Sequence, residues 1–494
     1  MKTYATYFIT VYFAFAALEA TAQQFSWAES YDVANANEVA ALAVHDDGHI
    51  YATGVFDAIW MLPFTGNVYL LKATPDGATV WLETITGSVN VSDIATVQDG
   101  VIITGQSNGP FGYQGQSYGP SDYFMFVMHV NKEGVLMWFR SDLTKFGGHA
   151  NISIDQQNGI AVRTRGQSNI SDWILIFDND GELINSKQIS ASETMIVDMA
   201  YHNGWVFLNG GFHGLDQSIV VDTIEIQRPL HNNVTFVLAL NHELVAAWVA
   251  TDTGYLNRDG KIVVDDDAVY AYMEVVRTPF SFRNHLKKYT PDGQLVNETD
   301  VPMHSTSTTK YPDLALTPNH VALFASNAFD FSSHKLMLFD HNLVLQSEKL
   351  VNGLSHLYSG QVAAHNADLF IAHVYSGDLD FDGEIALPHI AEGRSPYIAK
   401  VSNPASVGIE TFACSSSGFL IFPNPAQHAV NIHLPAEPLP GSIIQIKNLL
   451  GHTIQEQPLT KTKMQIATDH LPSGIYFVVI SGAKGNYQAK KLVK

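Results

Sequence analysis

The sequence predicts an all-β protein: a seven-bladed β-propeller followed by a small β-sandwich. Three observations predict it. A two-part repeat with a period of about fifty residues runs from residue 24 to about 402. A column rich in tryptophan marks the same place in successive copies. Charge and turn spacing both change near residue 419.

Composition sets the bounds. The 494 residues are 46% hydrophobic and only 15% charged, which excludes a mainly disordered chain. The net charge is −21, from 27 Lys and Arg against 48 Asp and Glu. A chain this acidic is not built for nucleic acid, because phosphate neutralisation needs clustered cations. The single cysteine, Cys414, excludes an internal disulfide and any zinc or iron–sulfur site made of cysteines.

The first element is a processing segment. Lys2 gives a positive start, Tyr7–Leu18 is an uncharged apolar run, and Ala20-Thr21-Ala22 is a small-x-small cleavage pattern. Residues 1–22 are expected to be a signal peptide cut between Ala22 and Gln23, with the Sec export machinery as the first partner. The apolar run is too short for a membrane span of about 20 residues.

The repeat follows. Its first marker is an apolar strand ending near Gly, as in HIYATGVF (49–56), VIITGQS (101–107) and WVFLNGGF (205–212). Its second is a hairpin, as in LLKATPDGATVWLET (70–84) and LKKYTPDGQLVNETD (286–300). Asp76-Gly77, Asp180-Gly181 and Asp292-Gly293 predict type I′ turns, and Glu133-Gly134 and His341-Asn342 fill the same place. The Gly-ended strand occurs seven times. The hairpin occurs six times, and its seventh copy, SPYIAKVSN (395–403), stops where the second strand should begin.

The missing strand lies at the other end of the chain. Phe25-Ser26-Trp27-Ala28-Glu29-Ser30 matches Val80-Trp81-Leu82-Glu83-Thr84. Trp27, Trp81, Trp138, Asn185, Trp248, Asn297 and Ser347 then share one column, spaced 54, 57, 47, 63, 49 and 50. A propeller spanning 23–402 and closed by its N-terminal strand explains both facts, and closure removes an open sheet edge. A linear β-solenoid would need neither the borrowed strand nor a fixed count. The column is read as packing between blades rather than a ligand platform. The stretches between marker and hairpin resemble the SBBP-type propeller repeats of exported bacterial proteins, a likeness that implies fold and setting but no activity.

Residues 403–418 have linker composition, with Pro404 and Ser415–Ser417. The tail, 419–494, holds 7 Lys against 3 Asp and Glu, leaving −25 on residues 23–418. Its short strands, VNIHL (430–434), IIQIKNL (443–449), HTIQEQ (452–457), KMQIAT (463–468), GIYFVVIS (474–481) and YQAKKLVK (487–494), predict a β-sandwich. Four motifs stand in order: Phe422-Pro423-Asn424-Pro425-Ala426, Asn448-Leu449-Leu450-Gly451, Leu471-Pro472-Ser473-Gly474-Ile475-Tyr476-Phe477, and Lys490-Lys491-Leu492-Val493-Lys494. Together they resemble the type A C-terminal sorting domain of the type IX secretion system. The resemblance implies an immunoglobulin-like domain read by a translocon in the Gram-negative outer membrane. It also implies removal by a sortase-like peptidase, and either release or attachment to the cell surface. Pro423, Asn424, Pro425, Gly451, Gly474, Tyr476, Lys490 and Lys491 are the residues that carry it.

Candidate chemistry is sparse. Asp378-Leu379-Asp380-Phe381-Asp382-Gly383-Glu384 opens like a calcium loop, so Asp378, Asp380 and Asp382 are the candidate metal ligands and calcium the candidate cofactor. The twelfth position is His389 rather than the bidentate Glu. Asp265-Asp266-Asp267 and His45-Asp46-Asp47-Gly48 read as solvated turns. No zinc-protease, nucleophile-elbow or phosphate-loop pattern occurs, so no catalytic residue is assigned. The sequence therefore points to an exported binding or structural module with an unknown extracellular ligand. The alternative is a propeller-class hydrolase or lyase, whose mark would be carboxylates from several blades meeting at the central channel. A third reading, adhesion, would use Phe111–Tyr123 as an exposed aromatic patch.

Overall fold

The computed structural model describes residues 24–402 and 420–494, apart from 34, 58–65, 142–145, 158, 167–170, 191–193, 213–217, 228–232, 255–259, 279–280, 302–311, 327–332, 354–359, 389–392, 423–425, 427, 435–437, 439–441, 449–452, 473 and 482–486. The expected signal peptide, Ala22 and Gln23 therefore lie outside the described residues, as does the expected linker. Among the described residues there is no helix. The chain divides into two compact units, Met1–Pro404 and Ala405–Lys494.

Among the described residues, the first unit contains seven antiparallel sheets of four or more strands and one separate two-stranded hairpin. The sheets begin with Ala41–Val44, Val89–Val97, Phe146–Ile154, Thr194–His202, Lys261–Val264, Asp313–Leu316 and Gln361–His365. We number them one to seven in that order. Each first strand lies against the first strand of the next sheet, and the seventh returns to the first. The cores are sandwiched between neighbouring sheets. One, for example, combines Leu336 and Leu338 of the sixth sheet with Ile371 and Tyr397 of the seventh.

The outermost strand of the seventh sheet is Gln24–Ser30. It pairs antiparallel with Ser395–Ser402 from the other end of the unit. Its register matches the other six sheets: Trp27 faces Lys400 as Trp81 faces Lys72 and Trp138 faces His129. All seven outer strands are bulged at one place, just before the column residue, at Ser26, Val80, Met137, Ile184, Ala247, Val296 and Gln346. A bulge adds twist and spoils the edge as a template for further pairing.

The column side chains reach the next sheet. The indole N–H of Trp138 donates to Asn179 O at 2.9 Å, and that of Trp248 to Pro291 O at 2.9 Å. Asn297 Nδ2 makes the same reach, to Asn342 O at 2.5 Å. Each acceptor sits in the neighbouring sheet's hairpin turn.

Those turns are not type I′. In Asp76-Gly77, Asp180-Gly181 and Asp292-Gly293 only the glycine is left-handed. The turn is instead fixed by a side-chain acceptor three residues before that glycine. Ala78 N–H donates to Thr74 Oγ1 at 3.0 Å, Val135 N–H to Asn131 Oδ1 at 2.8 Å and Glu182 N–H to Asp178 Oδ1 at 2.8 Å. Short oxygen-bearing side chains imitate a backbone turn in this way. In the sixth sheet the acceptor is Asp340, which accepts from Val344 N–H at 3.0 Å. The left-handed position there is Leu343, with φ 62°, so His341-Asn342 stands one residue ahead of its expected alignment. True paired left-handed turns occur at Gln114-Gly115, Asn203-Gly204 and Asp382-Gly383. The Gly-ended strands have a different cause. A Cβ on Gly54 would meet Glu38 O at 2.0 Å, and one on Gly105 would meet Asn90 O at 2.5 Å.

The second unit has a three-stranded sheet, Leu420–Phe422, Ala429–His433 and Lys463–Ala467. A four-stranded sheet joins Thr453–Pro458, Ile443–Lys447, Ile475–Ser481 and Tyr487–Val493. Val430, Ile432 and Ile466 of one share a core with Ile444, Ile446, Val478 and Leu492 of the other.

Candidate functional site

The innermost strands carry a polar register column. Ala41, Asp93, Asn151, Asp198, Lys261, Asp313 and Gln361 each pair with the fourth residue of the strand that follows, counted from Ile50, Val101, Ile160, Val206, Val269, Val321 and Leu369. Their side chains staple one sheet to the next. Ile152 N–H donates to Asp93 Oδ2 at 3.0 Å, Ile262 N–H to Asp198 Oδ2 at 2.8 Å and Val362 N–H to Asp313 Oδ2 at 2.8 Å. At the joint from the third sheet to the fourth, where the column holds Asn151, a buried pair takes over. Arg163 Nη2 lies 2.7 Å from Asp172 Oδ1, and Asp172 Oδ2 accepts Ile196 N–H at 3.2 Å.

Lys261 is the electrostatic centre. Its Nζ lies 3.2 Å from Asp313 Oδ1. Burial works against its charge, but Asp313, Asp198 and Asp93 outweigh that and hold the ammonium well above the usual lysine range. Three carboxyls share one cation. Burial accordingly pushes Asp93 up to about 7, against the pull of Lys261, and burial also raises Asp198. Carboxyls from three sheets act on the one Lys261 ammonium. Yet among the described residues they are not gathered into a cluster of three, the mark set for the enzymatic reading. Both oxygens of Asp93 already accept backbone N–H groups, from Ile94 at 2.9 Å and Ile152 at 3.0 Å. Chemically the column is a set of staples with a polarised centre.

Sequence reading missed this column. A faint signal exists: Asp93, Asp198, Lys261, Asp313 and Gln361 each stand 11 residues ahead of their strand partner. The residue type changes at almost every step, so no motif forms.

The acidic loop is a β-hairpin. Leu379–Phe381 and Ile385–Leu387 pair with each other, and Val351 and Asn352 extend the sixth sheet onto them. Strand alternation explains the D-x-D-x-D spacing: Leu379 and Phe381 are fully buried, and the acidic residues take the other face. Asp380 Oδ1 accepts Gly383 N–H at 3.0 Å. Asp382 Oδ2 lies 3.2 Å from Lys349 Nζ, which also binds Glu384. Glu384 Oε2 accepts Phe25 N–H at 2.6 Å. Among the described residues no group of three or more His, Cys, Asp or Glu is gathered for a metal ion.

The aromatic stretch Phe111–Tyr123 is not an open patch. Phe111 and Tyr113 are buried, and the strand Phe111–Tyr113 pairs with the outer strand of the first sheet. Phe111 packs on Phe126 at 5.0 Å and Phe139 at 5.5 Å, so the hairpin is a strap between the first two sheets. His373 is buried against His334, while His365 Nε2 lies 3.0 Å from Asp46 O, and His356 is outside the described residues.

In the tail, Gly474 N–H donates to Lys494 O and Lys494 N–H to Gly474 O, each at 2.9 Å. Tyr476 is buried, its hydroxyl donating to Pro472 O at 2.9 Å. Lys490 and Lys491 lie in the final strand, and Pro423, Asn424, Pro425 and Gly451 are outside the described residues. Residues 420–494 match the family model of the secretion system C-terminal sorting domain. The tail is a type IX sorting domain. It marks the protein for secretion and the cell surface, and implies interaction with the type IX secretion system.

Among curated proteins, none matches the sequence. Solved structures match it at low identity. A quinohemoprotein alcohol dehydrogenase from Comamonas testosteroni is 11% identical over 79% of this chain and 78% of its own, with TM-score 0.41. The polysaccharide lyase Uly1 is 9% identical over 76% and 91%, with TM-score 0.45. A subtype N10 neuraminidase-like protein of A/little yellow-shouldered bat/Guatemala/060/2010 is 8% identical over 62% and 93%, with TM-score 0.36. The first unit itself is all-β and made of many small sheets among its described residues. Identities and scores this low carry nothing about activity.

Proposed function

We infer that this is an exported seven-bladed propeller, residues 23–402, doing binding or structural work outside the cell. A signal peptide, 1–22, would bring it to the Sec machinery. A linker, 403–418, and an immunoglobulin-like sorting domain, 419–494, would hand it to the type IX translocon and its sortase-like peptidase. The observation that carries this reading is the sorting-domain match at 420–494. Support for binding over catalysis comes from the column: its carboxyls are engaged by backbone N–H groups and Lys261, which leaves none poised as a free acid or base. In an up-and-down strand order, the strand ends that flank 31–40, 57–66 and 376–394 share one end of the sheets. That end is the proposed ligand face.

The alternative, a hydrolase or lyase acting on extracellular polysaccharide or peptide, is favoured by one observation. Asp93 holds a proton up to about 7, as a general acid would. Two experiments test the readings. Deleting 419–494 should leave the protein inside the outer membrane; normal yield at the surface or in the medium would overturn the export reading. The exported protein should bind on a glycan array without turnover; product formation that Asp93→Asn abolishes would establish the enzyme instead.

A further inference from the structure

In six of the seven sheets the outer strand is joined to its neighbour by a short turn, such as 74–78 or 131–135. In the seventh it is not. Gln24–Ser30 and Ser395–Ser402 meet across the whole unit, so their pairing must be held without a covalent turn. Closing so long a loop has an entropic cost that a five-residue turn avoids.

The acidic hairpin, rooted at the other end of the sheet, reaches the start of the borrowed strand. The Phe25 N–H points away from Ser395–Ser402 and donates to Glu384 Oε2 at 2.6 Å. Glu384 is itself held by Lys349, a largely buried lysine on the outer strand of the sixth sheet, which also reaches Asp382 at 3.2 Å. Asp382 N–H donates to Leu350 O at 2.8 Å, fixing the hairpin to that same strand. Phe381 lies between the two strands being joined. Its ring is 5.1 Å from Phe25 and 5.2 Å from Tyr397, edge-on to both. Phe25 is 5% exposed and Phe381 fully buried.

We propose that the 378–388 hairpin is a clamp for the N-terminal strand. Glu384 captures the backbone amide of Phe25, Phe381 receives its ring, and Lys349 positions the carboxylate. Closure of the seventh sheet is then a latch that opens separately from the rest of the unit. The equivalent strap at Phe111–Tyr118 packs aromatic rings in the same way, but its outer strand, Leu136–Arg140, already follows a covalent turn. The motif that reads as a calcium loop thereby gains a structural role, centred on Glu384 rather than on the three aspartates.

The test is hydrogen exchange on the full chain, comparing 24–30 and 395–402 with 136–140 as an internal reference. A charge-assisted hydrogen bond in a half-buried place should be worth about tenfold in protection. Glu384→Ala should speed exchange in 24–30 and 395–402 by about that factor and leave 136–140 unchanged. Glu384→Gln, which keeps an acceptor oxygen without the charge, should fall between. Phe25→Pro removes the donor as well as the ring, and Phe25→Ala only the ring. The two should differ in the parent and coincide in the Glu384→Ala background. Parent-like protection in Glu384→Ala, equal loss in 136–140, or a Pro/Ala difference that survives in that background would each overturn the clamp. If Glu384→Ala does not fold, Glu384→Gln and the Phe25 pair still decide. None of these readouts depends on export or ligand, so the proposal can fail while the export reading stands.

Discussion

The indole of Trp81 donates its N–H to the carbonyl of Lys132 at 2.9 Å, tying the outer strand of one sheet to the hairpin turn of the next. Lys72 Nζ reaches the same carbonyl at 2.8 Å. The contact explains why tryptophan recurs there. Its ring covers the neighbouring turn, and its single donor satisfies a carbonyl that the turn leaves over.

Trp81→Phe keeps most of the ring and removes the donor. We expect a loss of about 1 kcal/mol in unfolding free energy, the net worth of one neutral hydrogen bond. Denaturant titration checks it. A variant as stable as the parent would make the contact incidental.

The turns offer a second comparison. Gly77 sits at φ 92°, with its Cβ position 2.9 Å from Trp27. Leu343 holds the equivalent place at φ 62°, buried in the core between the fifth and sixth sheets. A left-handed leucine costs about 1–2 kcal/mol, whereas burying its side chain returns about 1.5–3. Both Gly77→Ala and Leu343→Gly should therefore destabilise, the first through strain and contact, the second through a cavity. If Leu343→Gly stabilised the protein, backbone strain at that turn would outweigh the burial of the leucine.

The Trp column was legible because an indole is rare and its place recurs. The borrowed strand was legible because Trp27 belongs to that column. The misalignment at His341-Asn342 has a physical cause: Leu343 fills a glycine position for the sake of the core, and a sequence reading does not expect leucine there. The turn chemistry was hidden for a related reason, since Thr74, Asn131, Asp178 and Asp340 do one job with three residue types. The staples Asp93, Asp198 and Asp313 were invisible because each is defined by a partner in another sheet. Phe111 looked like surface because glycine-rich flanks suggest a loop, yet its ring fills the gap between two sheets.

Burial of Asp93 makes a pH prediction. An unfolded aspartate ionises near 3.9, whereas the folded one keeps its proton up to about 7. The native state therefore binds the extra proton between those values, and stability falls as pH rises from about 4 to about 7. Asp198 is shifted the same way. Asp93→Asn keeps an acceptor for Ile152 N–H and has nothing to ionise. We expect it to match the parent below about pH 4 and to exceed it increasingly up to pH 8, by at most about 4 kcal/mol. Thermal unfolding across that range checks the sign. A gap that widened toward acid would mean that Lys261 dominates the pair.

The last prediction concerns cations at the acidic hairpin. Asp378, Asp380 and Asp382 have the spacing of calcium ligands, and an extracellular site of that kind would bind with Kd of about 10⁻⁴–10⁻³ M. The geometry gives two of the nearby carboxylates other work. Asp382 lies 3.2 Å from Lys349, and Glu384, which could have supplied the missing bidentate ligand, holds Lys349 and the Phe25 amide. A calcium ion taking Glu384 would have to break the contact that holds the N-terminal strand, and it would approach a lysine ammonium. Binding at one hundred times Kd would stabilise the native state by about 2.7 kcal/mol. Thermal unfolding of the exported protein in chelator and then in millimolar calcium measures it, with Asp380→Ala alongside. We expect equal midpoints in chelator and calcium, because the cation would gain Asp380 and Asp378 at the expense of Lys349. A rise in calcium that Asp380→Ala abolishes would show instead that the hairpin holds the ion and its lysine together.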